Sequence, residues 1–397
     1  MKVVQINTTC GIGSTGKICV GISEMMTDNG IENYILYSCN SDGYELGIPC
    51  ATNSYIKLQA VKSRLLGNYG FNSQHSTKKI IDELERIKPD IVHLHNIHGH
   101  DCNLDLLLTY FKKSKTKLVW TFHDCWLLTG YCTHFSMMKC DKWKTECYDC
   151  IQKKEYTWFF DKSRSLFNRK KRLFEGLDLT IVTPSKWLAE IVKESFLGNY
   201  PVKVINNGID LSVFEPVESN FREDYKIGKD KSIILGVAFD WGVRKGLDVF
   251  IELAKRLDQE KYQIVLVGTT EISAGEYSDR IISIEKTQSQ RDLAKIYTQA
   301  DVFLNPTREE VLGLTNIEAN ACGTPVVTFN SGGSPECIDS LSGAVVEIDD
   351  IDDLEKQIVR ICEKKPYKMV DCCNQSRNFD MKAKYMEYVN LYESIKS

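Results

Sequence analysis

Glu310-Val-Leu-Gly-Leu-Thr-Asn-Ile-Glu318-Ala-Asn-Ala-Cys-Gly-Thr-Pro325 lies between two short apolar runs, Val302–Leu304 and Val326–Phe329. Strand, loop and helix start, then strand again is the repeat from which a parallel sheet is built. Gly323 and Pro325 supply the stop expected at the end of that helix. The stretch also sets two carboxylates eight positions apart around the loop and the helix start. Backbone amides at a helix N-terminus hold phosphate, whereas a carboxylate accepts hydrogen bonds from hydroxyls and repels phosphate. The pairing suggests a ligand with sugar at both ends of a diphosphate, as in a nucleotide sugar.

The same alternation runs outward in both directions. Strand-like runs occur at Val3–Ile6, Tyr34–Tyr37, Ile91–Leu94, Leu118–Phe122, Leu179–Val182 and Val202–Ile205. After about residue 206 they restart at Ile233–Val237, Gln263–Val267, Ile281–Ile284, Val302–Leu304, Val326–Phe329 and Ala344–Val346. Leu247, Phe250, Ile251, Ala254 and Leu257 recur at helical spacing between them, as do Leu293, Ile296 and Tyr297. β-branched runs alternating with amphipathic helices mark parallel sheets covered on both faces. The expected class is α/β, with two doubly wound parallel sheets. The turn chemistry of Asn206-Asn-Gly-Ile-Asp210 and the polar stretch Glu215–Lys231 suit a boundary. The expected domains are 1–205 and 206–378, with a final helix in 379–397 that packs on existing structure or crosses back to the first domain.

A length of 397 residues exceeds one ordinary core. The net charge of −4 argues against a general nucleic-acid binder. No apolar run reaches the roughly eighteen residues that span a bilayer, and Met1-Lys-Val-Val-Gln-Ile-Asn7 leads into a strand without a signal-peptide core. A cytoplasmic protein is expected, with peripheral contact to the inner face of the plasma membrane as an option. The 15 cysteines are scattered and read mostly as buried thiols.

Several local motifs carry chemistry. Gly11-Ile-Gly13-Ser-Thr-Gly16-Lys17 follows the first strand and nearly spells a P-loop, but Ile18 stands where a magnesium-ligating Ser or Thr would be. An amide-rich turn approaching a phosphate or an acceptor is the better reading; a plain tight turn is the alternative. The seven histidines all precede residue 135, and His93, His95, His98, His100 and His123-Asp124 crowd the ends of predicted strands. Ligands of open α/β sheets bind there, so His123, and with it His95, His98 and Asp124, are candidates for sugar contact. His93 sits within its strand and reads as structural. Cys132, Cys140, Cys147 and Cys150 include a CxxC pair and suggest a structural zinc, with free thiols or a disulfide as alternatives. From Lys153 to Arg172, basic residues alternate with Tyr156, Trp158, Phe159, Phe160, Leu166 and Phe167. That mixture suits an anionic membrane surface, or a solvated helix face with ordinary core aromatics. Asp349-Asp-Ile-Asp352 precedes an amphipathic helix and reads as an N-terminal capping cluster. Arg244-Lys245-Gly246 places two cations at a helix start, a combination that fits a diphosphate. Gly332-Gly-Ser-Pro-Glu336 lets backbone approach a ligand after its strand.

Taken together, Asn206-Asn-Gly-Ile-Asp210, Arg244-Lys-Gly246, Glu310 with Glu318, Gly323-Thr-Pro325 and Gly332-Gly333 resemble the family 4 retaining glycosyltransferases of GT-B fold. Lys88-Pro-Asp-Ile-Val-His-Leu-His-Asn-Ile-His98 and Trp120-Thr-Phe-His-Asp-Cys-Trp126 resemble bacterial enzymes of colanic-acid or capsule assembly. The resemblance implies two Rossmann-like domains facing across a cleft, the C-terminal one binding donor and the N-terminal one acceptor. It implies a donor sugar linked to UDP or GDP, a glycan or lipid-linked acceptor, retention of configuration and no catalytic metal. By matched position, Glu318 takes the ribose hydroxyls and Glu310 the donor hexose. Leu312, Gly313 and Leu314 offer amides to the distal phosphate, and Lys245 with Arg244 offsets diphosphate charge. Gly13 or Gly16 approaches from the other domain, and His123 matches the histidine near the reacting sugar. The chain departs from the family where Gly236-Val-Ala-Phe-Asp-Trp241 lacks the arginine often found there. A sugar-nucleotide epimerase and a non-catalytic binding protein of the same fold are the competing readings.

Overall fold

Each predicted strand is present in a computed structural model of the chain, which describes residues 1–269 and 280–396. The bounds of Ile91–Leu94, Ile281–Ile284 and Val326–Phe329 match, and the others differ by a residue or two. The chain divides into two units, Met1–Asn206 joined by the residues from Lys384 onward, and Asn207–Ala383.

The first unit holds strands β1 (Lys2–Asn7), β2 (Glu32–Tyr37), β3 (Gly47–Pro49), β4 (Ile91–Leu94), β5 (Lys117–Thr121), β6 (Leu179–Thr183) and β7 (Val202–Val204). They form a sheet in the order β3-β2-β1-β4-β5-β6-β7, every pair parallel. β3 was not predicted: three residues at the sheet edge, ending in a proline, carry no periodicity to read. Strands β1, β4 and β5 have almost every residue buried because helices cover both faces, which is why their sequences read as continuous apolar runs. The final helix, Met381–Lys396, packs from Lys384 onward on this unit. Tyr388 and Tyr392 are buried, the Tyr388 hydroxyl lying 3.1 Å from Thr121 Oγ1 and that of Tyr392 2.6 Å from His93 Nδ1.

The second unit holds β8 (Ser232–Val237), β9 (Tyr262–Val267), β10 (Ile281–Ile284), β11 (Val302–Asn305), β12 (Val326–Phe329) and β13 (Gly343–Val346). Their order is β10-β9-β8-β11-β12-β13, again all parallel. The helix Leu247–Arg256 buries Val249, Phe250, Leu253 and Ala254 against this sheet, and each large apolar side chain so buried contributes about 1.5–3 kcal/mol. The predicted capping cluster holds: Asp350 Oδ1 accepts the Asp353 amide at 3.0 Å at the start of the helix Ile351–Lys364. In each sheet the strand order reverses once, between β1 and β4 and between β8 and β11. At such switch points the loops beyond the strands part and leave a crevice for ligand.

Candidate active site

In the second unit the chain leaves β8 through a short turn of 3₁₀ helix, Val243–Lys245, and enters the helix Leu247–Arg256 at Gly246. Gly246 has φ +76°, and a Cβ there would meet the Pro306 carbonyl at 2.5 Å, so only glycine brings this turn against the β11 loop. That closeness carries Lys245 to Glu310, with Nζ 2.6 Å from Oε2 and both side chains about three-quarters buried. Arg308 secures the two loops. Its amide donates to the Arg244 carbonyl at 2.9 Å, and its guanidinium spans Asp248 and Asp349 at 2.8 and 2.7 Å. Among the described residues the Arg244 side chain has no carboxylate partner, so this cation is available to an anion.

Glu310 leads into Val311 and Leu312, both buried, and then into Gly313, whose φ of +85° turns the chain into the helix Leu314–Ala321. Gly313 has no side chain to cap that helix, so the Leu314 and Thr315 amides have no side-chain cap, while the Asn316 amide closes onto the Gly313 carbonyl at 3.0 Å. A buried polar network fixes the helix start. Asn316 accepts from Asn305 Nδ2 at 2.8 Å and donates to Ser334 Oγ at 2.8 Å, and Ser334 meets Thr328 at 2.7 Å. Gly332 completes the loop from the far side, its neighbour Gly333 donating to the Glu310 carbonyl at 3.1 Å. Glu318 lies one turn into the helix, and Oε2 accepts from the Tyr297 hydroxyl at 3.0 Å. The arrangement offers cations and uncapped amides flanked by carboxylates, which is the chemistry that a sugar diphosphate would need.

In the first unit, three histidines and Asp124 form two pairs at the ends of β4 and β5. His95 Nδ1 lies 3.1 Å from His123 Nε2, and His95 Nε2 lies 3.0 Å from Gln5 Oε1. Gln5 donates its Nε2 to the Cys19 carbonyl, which fixes its Oε1 as the acceptor. His95 therefore carries its proton on Nε2 and accepts on Nδ1, and His123 donates from Nε2. Burial lowers the His123 pKa to about 4, and that of His95 well below its ordinary value. Both rings are neutral at pH 7, and among the described residues His123 Nδ1 has no protein partner. The second pair is His98 and Asp124, joined at 2.7 Å. Burial opposes the charge on each, but their mutual attraction wins, raising His98 and lowering Asp124 to about 2. The other His98 nitrogen meets the Tyr69 hydroxyl at 3.1 Å, so both of its ring nitrogens are engaged. His93 is fully buried between Thr121 and Tyr392, the structural role expected from its place within the strand.

Gly13 and Gly16 begin the helix Gly13–Asp28 at the end of β1. Gly13 has φ +71° with open space where a Cβ would stand, whereas a Cβ on Gly16 would meet Thr9 Oγ1 at 2.8 Å. Lys17 is exposed in the first turn.

The sulfur cluster is only partly assembled. Cys132, Cys140, Cys147 and Cys150 line one small cavity with Trp143, and Cys132 and Cys150 lie 3.6 Å apart. Yet among the described residues no three His, Cys, Asp or Glu side chains are gathered so as to hold a metal ion. The Cys132 contact lowers the Cys150 pKa, and Cys147 accepts the Gly130 amide at 3.3 Å.

Three residues escaped the sequence reading. Arg308 and Gln5 gave no local signal, since their partners lie far along the chain. Lys170 had one: with Leu166, Phe167 and Phe174 it shares the buried face of the helix Ser163–Phe174. Its ammonium donates to the Trp126 and Thr129 carbonyls at 2.6 and 2.9 Å and sits 4.0 Å over the Trp126 ring. Burial pushes it down to about 7, and it pins the segment that follows Asp124.

Two family models match this chain, Glycosyltransferase Family 4 over residues 18–213 and Glycosyl transferases group 1 over residues 217–379. An Escherichia coli (strain K12) protein named as a colanic acid biosynthesis glycosyl transferase, WcaC, is 22% identical over the full length of both chains. A D-inositol 3-phosphate glycosyltransferase of Mycolicibacterium smegmatis is 29% identical over 50% of this chain and 48% of that one. Among solved structures, Anabaena Alr3699/HepE in complex with UDP superposes with a TM-score of 0.70 at 14% identity, covering 99% of this chain and all of the other.

Proposed function

We propose, from the premise that this chain is a family 4 glycosyltransferase of GT-B fold, that it transfers a hexose from a UDP- or GDP-linked donor to a glycan or lipid-linked acceptor in surface polysaccharide synthesis. The observation that carries the reading is the Lys245–Glu310 pair beside the uncapped start of the helix Leu314–Ala321. Glu318 receives the ribose hydroxyls, Glu310 the donor hexose, and the amides of Leu312, Gly313 and Leu314 the distal phosphate. As the glycosidic bond lengthens, negative charge collects on the diphosphate. Lys245, Arg244 and the helix dipole meet that charge in the role a divalent cation takes elsewhere. Donor phosphate draws Lys245 away from Glu310 and so frees the carboxylate for the sugar. The second unit receives the donor and the first unit the acceptor, with neutral His123 offering Nδ1 as acceptor to a hydroxyl. The reading supports retention, with the departing diphosphate taking the acceptor proton on the same face.

The test is donor consumption by purified protein supplied with UDP- and GDP-sugars, with and without EDTA, for wild type and Glu318→Ala. Metal-independent binding of one nucleotide that weakens in the variant supports the reading. Absence of nucleoside diphosphate binding, together with an inert Glu318→Ala change, refutes it. Release of free epimerised sugar nucleotide without acceptor would favour an epimerase.

A further inference from the structure

The helix Asn53–Leu66 in the first unit is inside out. Its polar Gln59 and Ser63 are buried, while Leu58, Val61, Leu65 and Leu66 are exposed, Leu58 at 64%. Against its C-terminal end sits the Trp158-Phe159-Phe160 turn, exposed at 53, 66 and 58%. The two are pinned together: the Trp158 amide and the Thr157 hydroxyl both donate to the Arg64 carbonyl, at 2.9 and 3.1 Å. The core reading of the basic-aromatic stretch thus holds for Leu166 and Phe167, which are buried, and fails for these three aromatics.

Lys57, Lys62, Lys153 and Lys154 are exposed beside the apolar surface. Of the nearby carboxylates, Glu155 is exposed, whereas Asp161 accepts the Cys150 and Ser163 amides at 2.6 and 2.9 Å and is committed to the fold. The flank is therefore net cationic. A contiguous apolar patch on a soluble surface marks something that covers it. Lysines are depleted from protein–protein interfaces, but on interfacial helices they ring an apolar face, extending stems along the hydrocarbon and ammonium groups to lipid phosphates. Trp and Phe sit at the same depth.

We propose that this face docks on an anionic lipid bilayer, with Trp158, Phe159, Phe160 and Leu58 entering the headgroup–acyl boundary and Lys57, Lys62, Lys153 and Lys154 meeting lipid phosphates. Among the described residues no helix is long and apolar enough to cross a membrane, so the contact is one of lying on the surface.

The experiment is co-sedimentation of the full chain with phosphatidylcholine vesicles and with phosphatidylcholine–phosphatidylglycerol vesicles, at low and high salt, without donor or acceptor. Binding is read independently of any transfer reaction. Wild type is expected to pellet with anionic vesicles only and less at high salt. Both W158S/F159S/F160S and K57E/K62E/K153E/K154E are expected to lose pelleting while keeping the wild-type melting curve, since every substituted side chain is exposed. Brominated acyl chains are expected to quench part of the wild-type tryptophan emission, a readout that needs no variant. Wild type remaining in the supernatant with anionic vesicles overturns the proposal, as does undiminished pelleting of the aromatic variant. So does self-association of wild type that the aromatic variant abolishes, because the patch would then belong to a second copy of the chain.

Discussion

Replacing Gly332 by alanine probes the candidate donor loop without touching any of its charged groups. Gly332 has φ +56°, and a Cβ built there lies 1.7 Å from the Glu310 carbonyl oxygen. Ordinary van der Waals contact begins at 3.4 Å, so the Glu310 backbone has to retreat by roughly 1.5 Å or more in a close-packed surrounding. The left-handed conformation costs an alanine about 1–2 kcal/mol. Overpacking adds about 1–3 kcal/mol. With the Gly333-to-Glu310 hydrogen bond also strained, the second unit is expected to lose about 2–5 kcal/mol, on the order of 10 °C in melting temperature for a domain of this size. Function should suffer more than stability. Glu310 is the partner of Lys245 at 2.6 Å, and a displacement of about 1 Å at a reacting centre costs about 100-fold in rate. The assays are thermal unfolding by circular dichroism and donor turnover at saturating acceptor, with Gly13→Ala as companion. Gly13 also has positive φ but open space around it, so that variant pays the conformational term alone. A Gly332→Ala protein that melts with the wild type and turns over donor at the wild-type rate would refute the account of how Glu310 is placed.

Four further outcomes are expected. Lys245→Ala should lower kcat by about 100-fold or more while changing donor KM less, because the charge it meets develops during bond breaking; steady-state kinetics separates the two. Arg308→Ala should cost about 1.5–3 kcal/mol, as it removes charged hydrogen bonds to Asp248 and Asp349, and should raise donor KM because the guanidinium no longer holds the Val243 carbonyl next to Arg244; urea unfolding and kinetics read each part. Stability should fall as pH drops from about 6.5 to about 4, since His123, His95 and His93 are held neutral in the fold and take up protons on unfolding. A second loss should follow from about 4 towards about 2, as Asp124, whose folded pKa is lowered, becomes protonated; His98 has the opposite sign and gives up its contribution only as pH rises through its raised value. Finally, diamide should oxidise Cys132 and Cys150 to a disulfide before other cysteine pairs, because their sulfurs stand 3.6 Å apart and Cys150 is the better thiolate; non-reducing peptide mapping reads the link, and Cys132→Ser should abolish it.

Much of the candidate site was legible because its signals are local. Glu310, Gly313, Glu318 and Gly323 fall within one loop and one helix, and their order along the chain fixes their order in space. Lys245 was legible as a cation at a helix start, but its pairing with Glu310 depends on Gly246 packing against Pro306, some 60 residues away in sequence. The cysteines illustrate the converse. Ligand spacing along the chain does not determine how closely four sulfurs approach one another; here all four line one cavity, and Cys132 and Cys150 lie 3.6 Å apart.

The sequence by itself determined the two parallel α/β sheets, since strands buried on both faces must be apolar throughout and covering helices must repeat at 3.6 residues. Those are properties of each segment alone. Tertiary structure decided which polar groups meet: Gln5 orienting His95 and through it the His123 proton, Lys170 buried on the carbonyls of Trp126 and Thr129, Arg308 tying two loops. It also decided that Leu58 and Trp158-Phe159-Phe160 face outward, although their composition is that of a core. Hydrogen bonds and exposure depend on neighbours tens of residues away, and no periodicity along the chain encodes them.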